Sequence, residues 1–169
     1  MSTTPTTPHR VITRQVVEWA AWDWGSAAFN AVATTFVFTT YLTSNGVFTD
    51  SGTASTWLSN GMTIAGLFIA LLAPITGQRA DRRGRGGVWL GWFTGLVVAC
   101  MLAMYFVHPE SVLGPRGALM LGIALLGLGN VFFEFASVNY NAMLNHLGEK
   151  EDRGKISGFG WASGYIGGI

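Results

Sequence analysis

Residues 86–107 read GGVWLGWFTGLVVACMLAMYFV, a run without a single acidic or basic side chain. A helix needs about 20 mostly apolar residues to cross the roughly 30 Å hydrocarbon core of a bilayer, and this run is long enough. Three more runs, interrupted only by Glu134 and His146, share the property: residues 24–49, 51–78 and 117–148. The pattern indicates an all-α fold, a polytopic bundle of membrane-spanning helices.

Composition agrees with a membrane protein and excludes several other classes. Half of the residues are hydrophobic and 11% are charged, whereas about a quarter of the residues in soluble domains are charged. Cys100 is the single cysteine and lies inside an apolar run, so neither a disulfide nor a zinc site is expected. We predict no metal, no cofactor and no nucleic-acid partner, and a lipid bilayer as the surroundings.

The apolar runs place membrane spans near residues 19–42, 57–76, 88–107 and 118–144. A fifth span begins near Ile156 and stops at Ile169, which is too short to cross the hydrocarbon. We therefore expect an amino-terminal fragment whose partners include further, carboxy-terminal helices of the same chain. Residues 1–18 are polar and rich in Thr and Pro, and we expect them to form a disordered cytoplasmic leader.

The basic residues lie almost entirely on one side of these spans. Two arginines precede the first span, four arginines separate the second from the third, and three basic residues follow the fourth, whereas Arg116 alone falls on the other side. The positive-inside rule makes the richer side cytoplasmic. The expected location is the cell membrane, with a cytoplasmic amino terminus.

The segment between the second and third spans, residues 77–85, reads GQRADRRGR. Glycines suit tight turns, a carboxylate before a helix stabilises its positive end, and arginines can bind helix ends or carboxylates. The segment resembles the signature cytoplasmic loop of the major facilitator superfamily: Gly, three variable residues, Asp, a basic residue, one variable residue, Gly and two basic residues. Only Gly86, at the last basic position, departs from it.

The resemblance implies a gating loop that latches the cytoplasmic side and is remade during alternating access. Its residues here are Gly77, Asp81, Arg82, Gly84 and Arg85. The alternative is that the arginines only anchor the loop at the lipid headgroups, as in any multi-spanning protein.

Three further segments resemble one branch of that family, the vacuolar amino-acid effluxers associated with autophagy and their bacterial relatives. They are Trp22–Trp24 with Ser26–Phe29, Tyr140–Leu144, and the glycine-rich run from Arg153 to Gly168. Asn145 stands where the branch usually has proline. The resemblance implies a twelve-helix transporter, amino acids as the solute and the proton gradient as the driver.

Glu134 is the one ionisable residue well inside a predicted span. A carboxylate at that depth costs about 2.5–3.5 kcal/mol on insertion scales, so it should face protein or water. Four polar residues, at spacings of four, three and four, share one side of that helix: Asn130, Glu134, Ser137 and Asn141. We hypothesise that they line a cavity in which Glu134 contacts the substrate or a coupling proton. Alternatively, Glu134 stays neutral or pairs with a neighbouring helix and only holds the bundle together.

Asp23 and Asn30 fall on one face of the first predicted span, so Asn30 is a candidate for the opposite wall of that cavity. Asp23 lies near the cytoplasmic start of the helix, where capping the helix dipole, worth about 0.3–1 kcal/mol, is an alternative to a role in the substrate or proton pathway. Gly160, Gly164 and Gly168 recur every four residues on one face of the fifth helix, where small residues let a partner helix approach closely.

These observations favour a secondary active transporter of a small solute, which works by alternating access around a midplane site. Two other classes stay open. One is a small membrane scaffold that associates through its glycine-rich faces and transports nothing. The other is an intramembrane enzyme using Glu134, which would lack a second acid, a nucleophile and a metal cluster. We therefore predict that the chain is not an enzyme.

Compartment-sensitive reporter tags inserted at Ser51 and at Gly84 should report opposite compartments, because the second predicted span separates the two positions. The measurement is the activity of each fusion in intact cells. Finding both tags in the same compartment would contradict the assigned spans.

Overall fold

The computed structural model describes the backbone of residues 11–82 and 85–169 and, within that part, every side chain except those of residues 74–82. All its regular structure is helical, which confirms the all-α fold. The α-helices are α1 (Arg14–Ala28), α2 (Phe38–Thr43), α3 (Ser51–Arg82), α4 (Gly86–Ala103), α5 (Gly114–Leu147) and α6 (Arg153–Gly167). A π-helical segment, Phe29–Phe36, joins α1 to α2, and a 3₁₀ turn, Met104–Phe106, follows α4.

Three of the described helices are long and apolar enough to cross a membrane. They are Ser51–Ala73 within α3, Gly86–Phe106 at α4, and Gly114–Leu147, which is α5. Each overlaps one of the second to fourth spans predicted from the sequence. The chain therefore has the helices of a multi-pass membrane protein.

The first helix begins earlier than the predicted leader allows. The Thr13 hydroxyl accepts a hydrogen bond from the Val16 amide at 3.4 Å, and Arg14 Nε pairs with Glu18 Oε1 at 2.7 Å. These contacts of the first turn stabilise a helix locally. Residues 14–18, predicted to belong to the disordered leader, are therefore helical.

The first predicted span is not one regular α-helix. Between Phe29 and Phe36 the backbone bonds reach five residues back, as where Val37 N–H donates to the Val32 carbonyl at 3.1 Å. The expectation that Asp23 and Asn30 share one face assumed the α-helical pitch throughout. That expectation therefore cannot be extended from α1 into the π-helical segment, where the pitch changes.

A capped turn fixes the start of α3. Gly46 has a φ of +79°, which glycine adopts without a steric penalty, and Asp50 Oδ1 accepts the Thr53 amide at 2.8 Å. The hydrogen bonds from the Thr53 amide and hydroxyl hold the pKa of Asp50 below its ordinary value. Asp50 is thus the N-cap of α3 and stays ionised at neutral pH.

The chain divides into two compact units. The larger unit spans residues 28–143, and the smaller unit combines the chain up to residue 27 with residues 144–169. In the larger unit Leu42, Leu119 and Leu126 are fully buried in one apolar cluster. In the smaller unit α1 packs against α6, as the contact of Asp23 with Gly164 shows.

Close packing around α5 depends on the absence of a side chain at Gly122. A methyl group there would lie 2.6 Å from Leu42 Cδ2 and 3.0 Å from Val107 Cγ1. Both neighbours are themselves buried, so neither can move away freely.

Gly122→Ala should therefore lower the free energy of unfolding by about 1–3 kcal/mol through overpacking. Gly95→Ala on α4 is the matched control, because no atom lies within 4 Å of the added methyl group and Ala favours the helix by roughly 1 kcal/mol. Unfolding of the purified complete protein in detergent measures both. Equal losses, or none at Gly122, would contradict the packing.

Candidate functional site

The polar residues predicted on the fourth span lie on α5 within the larger unit. Asn130, Glu134 and Ser137 are half-buried, and Asn141 is exposed. Asn141 Nδ2 donates to the Ser137 carbonyl at 2.9 Å and lies 3.4 Å from the Ser137 hydroxyl. We call these four residues the α5 polar column. Its carboxy-terminal pair, Ser137 and Asn141, is hydrogen-bonded internally, whereas Asn130 and Glu134 are open to other partners.

Glu134 is the only carboxylate of the column, and none of the described side chains hydrogen-bonds or ion-pairs with it. The carboxyl group can consequently accept a proton, or a hydrogen bond from a solute, without first breaking an internal bond. An acid that cross-linked two helices would be paired instead. Within the described part of the chain, the Glu134 carboxylate thus has no hydrogen-bond partner.

Asn30 is exposed on the π-helical segment, and its neighbour Phe29 fixes where it lies. The Phe29 ring stacks on Phe133 with a centroid separation of 5.2 Å. It also covers Gly129, where an added methyl group would be 3.3 Å from the ring. The turn that carries Asn30 therefore lies beside the turn of α5 that carries Glu134, at a spot where glycine permits the approach.

Asp23 belongs to the smaller unit, apart from the α5 polar column. It is half-buried on α1 against α6, where a methyl group at Gly164 would lie 2.9 Å from Asp23 Oδ2. Gly168 faces Ala27 of α1, and Gly160 is buried. Gly164 and Gly168 thus have α1 beside them, within the same chain.

The predicted gating loop lies partly outside the described residues. The backbone of α3 continues through Gly77, Asp81 and Arg82, so these three are helical rather than part of a loop. Their side chains, and Gly84 altogether, are outside what the structure describes. Arg85 is exposed and immediately precedes α4.

One buried polar residue was missed by sequence reasoning. Asn139 is 1% exposed, and its Nδ2 donates to the Phe135 carbonyl at 2.7 Å while no described group donates to its Oδ1. It lies on the opposite side of α5 from Glu134, near the start of α4, where Gly86 approaches the Asn139 carbonyl. Spacing could not have identified it, because Asn139 does not fall on the helix face that Asn130, Glu134, Ser137 and Asn141 share.

An open apolar groove of about 510 Å³ runs along α4. It is lined by Gly87, Val88, Gly91, Trp92, Gly95 and Leu96. None of these side chains is charged, and the indole N–H of Trp92 is the one polar side-chain group among them, so the groove has little with which to orient a polar solute. Among the described residues, no group of three His, Cys, Asp or Glu side chains could hold a metal ion.

A family model described as Major Facilitator Superfamily matches residues 2–169, nearly the whole chain. The chain belongs to the major facilitator superfamily. It is similar to an uncharacterized MFS-type transporter of Bacillus subtilis (strain 168), YxiO, with 30% identity over 159 residues. The match covers 92% of this chain and 35% of the relative, so the chain spans about a third of that protein's length. No solved structure matches the chain.

Membership in the superfamily makes the chain part of a family of multi-pass membrane proteins. It is consistent with the predicted transporter class and with the prediction that the chain is not an enzyme. Such a protein requires long apolar helices and polar groups that face protein or water. The helices α3, α4 and α5 and the half-buried α5 polar column have these properties.

Asn139→Leu should leave the free energy of unfolding unchanged or raise it, because an apolar side chain of similar volume replaces an acceptor that has no donor. Asn139→Asp is the opposing variant, and we expect it to lower the free energy by about 3 kcal/mol or more, because it buries an unpaired charge. Unfolding of the complete transporter in detergent measures both. A clear loss for Asn139→Leu would show that Oδ1 has a partner.

Proposed function

We propose that the chain is the amino-terminal part of a transporter that moves amino acids by alternating access, driven by the proton gradient. Family membership supports the transporter class. The observation that carries the finer proposal is Glu134, a half-buried carboxylate in a long apolar helix with no donor among the described side chains. Such a group is suited to exchange a proton or to bind a polar solute.

Proton coupling is the role that fits the surroundings of Glu134 best. A carboxyl group in an apolar helix is stable when neutral, whereas its ionised form needs water or a donor. Alternating access supplies water to the site from one side at a time. Glu134 would then take up a proton facing one compartment and release it facing the other, which couples solute movement to the gradient.

Amino acids are the proposed solute class because the segments at Trp22–Phe29, Tyr140–Leu144 and Arg153–Gly168 resemble the amino-acid effluxer branch. The α5 polar column is compatible with this chemistry. Asn130 and Asn30 offer both amide donors and carbonyl acceptors, which suit the carboxylate and ammonium groups of an amino acid. Glu134 supplies the negative charge that an ammonium group would require when no proton occupies it.

We place the amino terminus in the cytoplasm of the cell, with residues 77–85 as the cytoplasmic gate. The positive-inside rule supports this orientation. The chain spans 35% of the longer relative, and a complete transporter would need further helices. The carboxy-terminal helices are therefore the partners that complete the cavity wall.

The rival proposal, a non-transporting scaffold, is less well supported by the packing. Such a scaffold would need its glycine-rich faces free for other chains. Gly164 and Gly168 lie against Asp23 and Ala27 of α1 in the same chain, so only the α4 face at Gly91 and Gly95, which has open space beside it, would serve. The transporter accounts for both this packing and the polar column.

Glu134→Gln should remove the pH dependence of amino-acid uptake by the complete transporter, because the amide cannot exchange a proton. Glu149→Gln is the matched control, since Glu149 is exposed beyond the end of α5 and its replacement should leave the pH profile unchanged. Uptake into proteoliposomes across a range of pH gradients is the measurement. A Glu134→Gln transporter with an unaltered profile would exclude the proton role.

A further inference from the structure

The first predicted span packs against α5 on both sides of the π-helical segment. At the start of the segment, Phe29 covers Gly129, where an added methyl group would be 3.3 Å from the ring. Beyond the segment, a methyl group added at Gly122 would be 3.4 Å from Phe38 Cζ and 2.6 Å from Leu42 Cδ2. Phe29 and Leu42 are both buried. Side chains before and after the change of pitch therefore face the same helix.

A regular α-helix could not make both contacts. Successive residues of an α-helix turn by about 100°, so residues 29 and 38 would point about 180° apart and residues 29 and 42 about 140° apart. The bonds of a π-helix reach five residues back rather than four, so each turn contains more residues. The segment Phe29–Phe36 consequently turns through a smaller angle than an α-helix of the same length. This smaller angle lets both ends of the span face α5.

The backbone returns to the α-helical register at one residue, Val37. Its N–H donates to the Val32 carbonyl, five residues back, at 3.1 Å, whereas its own carbonyl accepts the Tyr41 N–H, four residues on, at 2.9 Å. The two hydrogen-bond ladders thus meet without a break in the helix. Each step that extends one ladder into the other exchanges a carbonyl acceptor for its neighbour, so conversion of the segment can proceed one bond at a time.

Hydroxyl groups lie where this exchange would occur. Thr39 Oγ1 is 3.0 Å from the Thr35 carbonyl, four residues back, and 3.4 Å from the Thr34 carbonyl, five residues back. It can therefore donate to the acceptor of either register. The Thr34 hydroxyl donates to the Asn30 carbonyl at 2.8 Å. These three carbonyls would keep a donor within reach while their amide partners change, as the membrane interior requires.

The register of the segment decides where Asn30 lies. Phe29 stacks on Phe133 with ring centroids 5.2 Å apart, which keeps the neighbouring Asn30 beside the turn of α5 that carries Glu134. An α-helical register would rotate one end of the segment by about 100° relative to the other. Phe29 and Phe38 could then not both face α5, so one end would have to leave it.

The end that carries α2 is the more firmly attached of the two. The Tyr41 hydroxyl donates to the Val107 carbonyl at 3.1 Å, and Leu42 is fully buried over Gly122. The contact of Phe29 with α5 is an aromatic one, which can be broken without the loss of a hydrogen bond. A change of register would therefore move the end that carries Phe29.

We propose that the π-helical segment is a register switch, which converts between the π-helical form of this structure and an α-helical form during transport. In the π-helical form Phe29 holds Asn30 beside Glu134. In the α-helical form α2 stays in place, Phe29 turns away from α5, and Asn30 leaves the cavity wall. This rests on the proposed alternating access, and it assigns to that function a local element that remakes one wall of the site.

Removing one residue from the segment tests the switch. Deletion of Val32, which is 46% exposed, turns bonds that reach five residues back into bonds that reach four. Residues 29 and 38 would then be about 80° apart in a regular α-helix, so both contacts with α5 survive but the register can no longer change. The complete transporter should keep its unfolding temperature in detergent, and uptake into proteoliposomes should fall by about tenfold or more, because a required conformational step is blocked.

Deletion of Val98 is the matched control, because Val98 is also exposed but lies in the regular helix α4. That deletion rotates the residues beyond it by about 100° and should lower the unfolding temperature. Unchanged uptake after deletion of Val32 would show that the π-helical segment only accommodates an extra residue, and would overturn the switch. Equal destabilisation by the two deletions would contradict the geometry on which it rests.

The two registers can also be observed directly by distance measurements between nitroxide labels. The labels are attached at Ala28→Cys and Leu128→Cys, both exposed positions, in the complete transporter freed of native cysteines, including Cys100→Ala. In lipid nanodiscs the parent protein should show two distances, and the protein without Val32 should show one. A single distance in the parent, or two distances that persist after the deletion, would refute the proposal.

The same labels separate the switch from the proposed proton coupling. Glu134→Gln should still show both distances even where the pH dependence of uptake is lost. Loss of one distance in that variant would assign the conversion to Glu134 rather than to the segment. The distances decide the matter whether or not amino acids prove to be the solute.

A final variant addresses the hydroxyl at the change of register. Thr39→Val, which keeps the shape of the side chain but removes its donor, should slow uptake several-fold, and Thr39→Ser should restore it. Thr43→Val is the matched control, because the Thr43 hydroxyl donates to the Thr39 carbonyl at 2.9 Å within the regular helix α2. Equal slowing by the two valine substitutions would count against a role of Thr39 in the conversion.

Discussion

The hydrocarbon core offers no water to the backbone, so every amide and carbonyl in it must be satisfied within the chain. The whole architecture depends on this constraint. The long helices α3, α4 and α5 satisfy it by regular bonding, and the segment from Phe29 to Phe36 satisfies it with wider π-helical turns. Hydroxyl groups obey the same rule locally: Thr63 and Thr94 each donate to a carbonyl one turn earlier in their own helix.

Helices that are internally satisfied attract one another chiefly through close packing, so small residues decide which faces meet. Gly122 receives the side chains of Leu42 and Val107, and Gly129 receives the ring of Phe29. Glycine thereby lets α2 and the π-helical segment pack against α5 within the larger unit. In the smaller unit Gly164 does the same for α1 and α6, but the group it receives is a carboxyl group rather than a hydrocarbon.

The charge-free runs and the period of the helix were sufficient to predict the fold class, the helices α3 to α5 and the α5 polar column. They could not predict the π-helical segment, because the spacing of the apolar residues does not indicate its wider turns. Nor could they predict which glycines have another group packed against them. Gly87, Gly91 and Gly95 have the same spacing as Gly160, Gly164 and Gly168. A methyl group added at Gly91 or Gly95, however, would have no neighbour within 4 Å. The burial of Asn139 could not be predicted either, because it depends on which helix faces that residue.

Two carboxyl groups, Glu134 on α5 and Asp23 on α1, differ in their surroundings. Glu134 belongs to a column of amides and hydroxyls, so added water or a polar solute can extend an existing polar path. Asp23 is half-buried beside Gly164 of α6, in the smaller unit. In the proposed transporter Glu134 is therefore the carboxyl group suited to exchange protons with the cavity. Proton exchange at Glu134 would link solute binding to the rearrangement that alternating access requires.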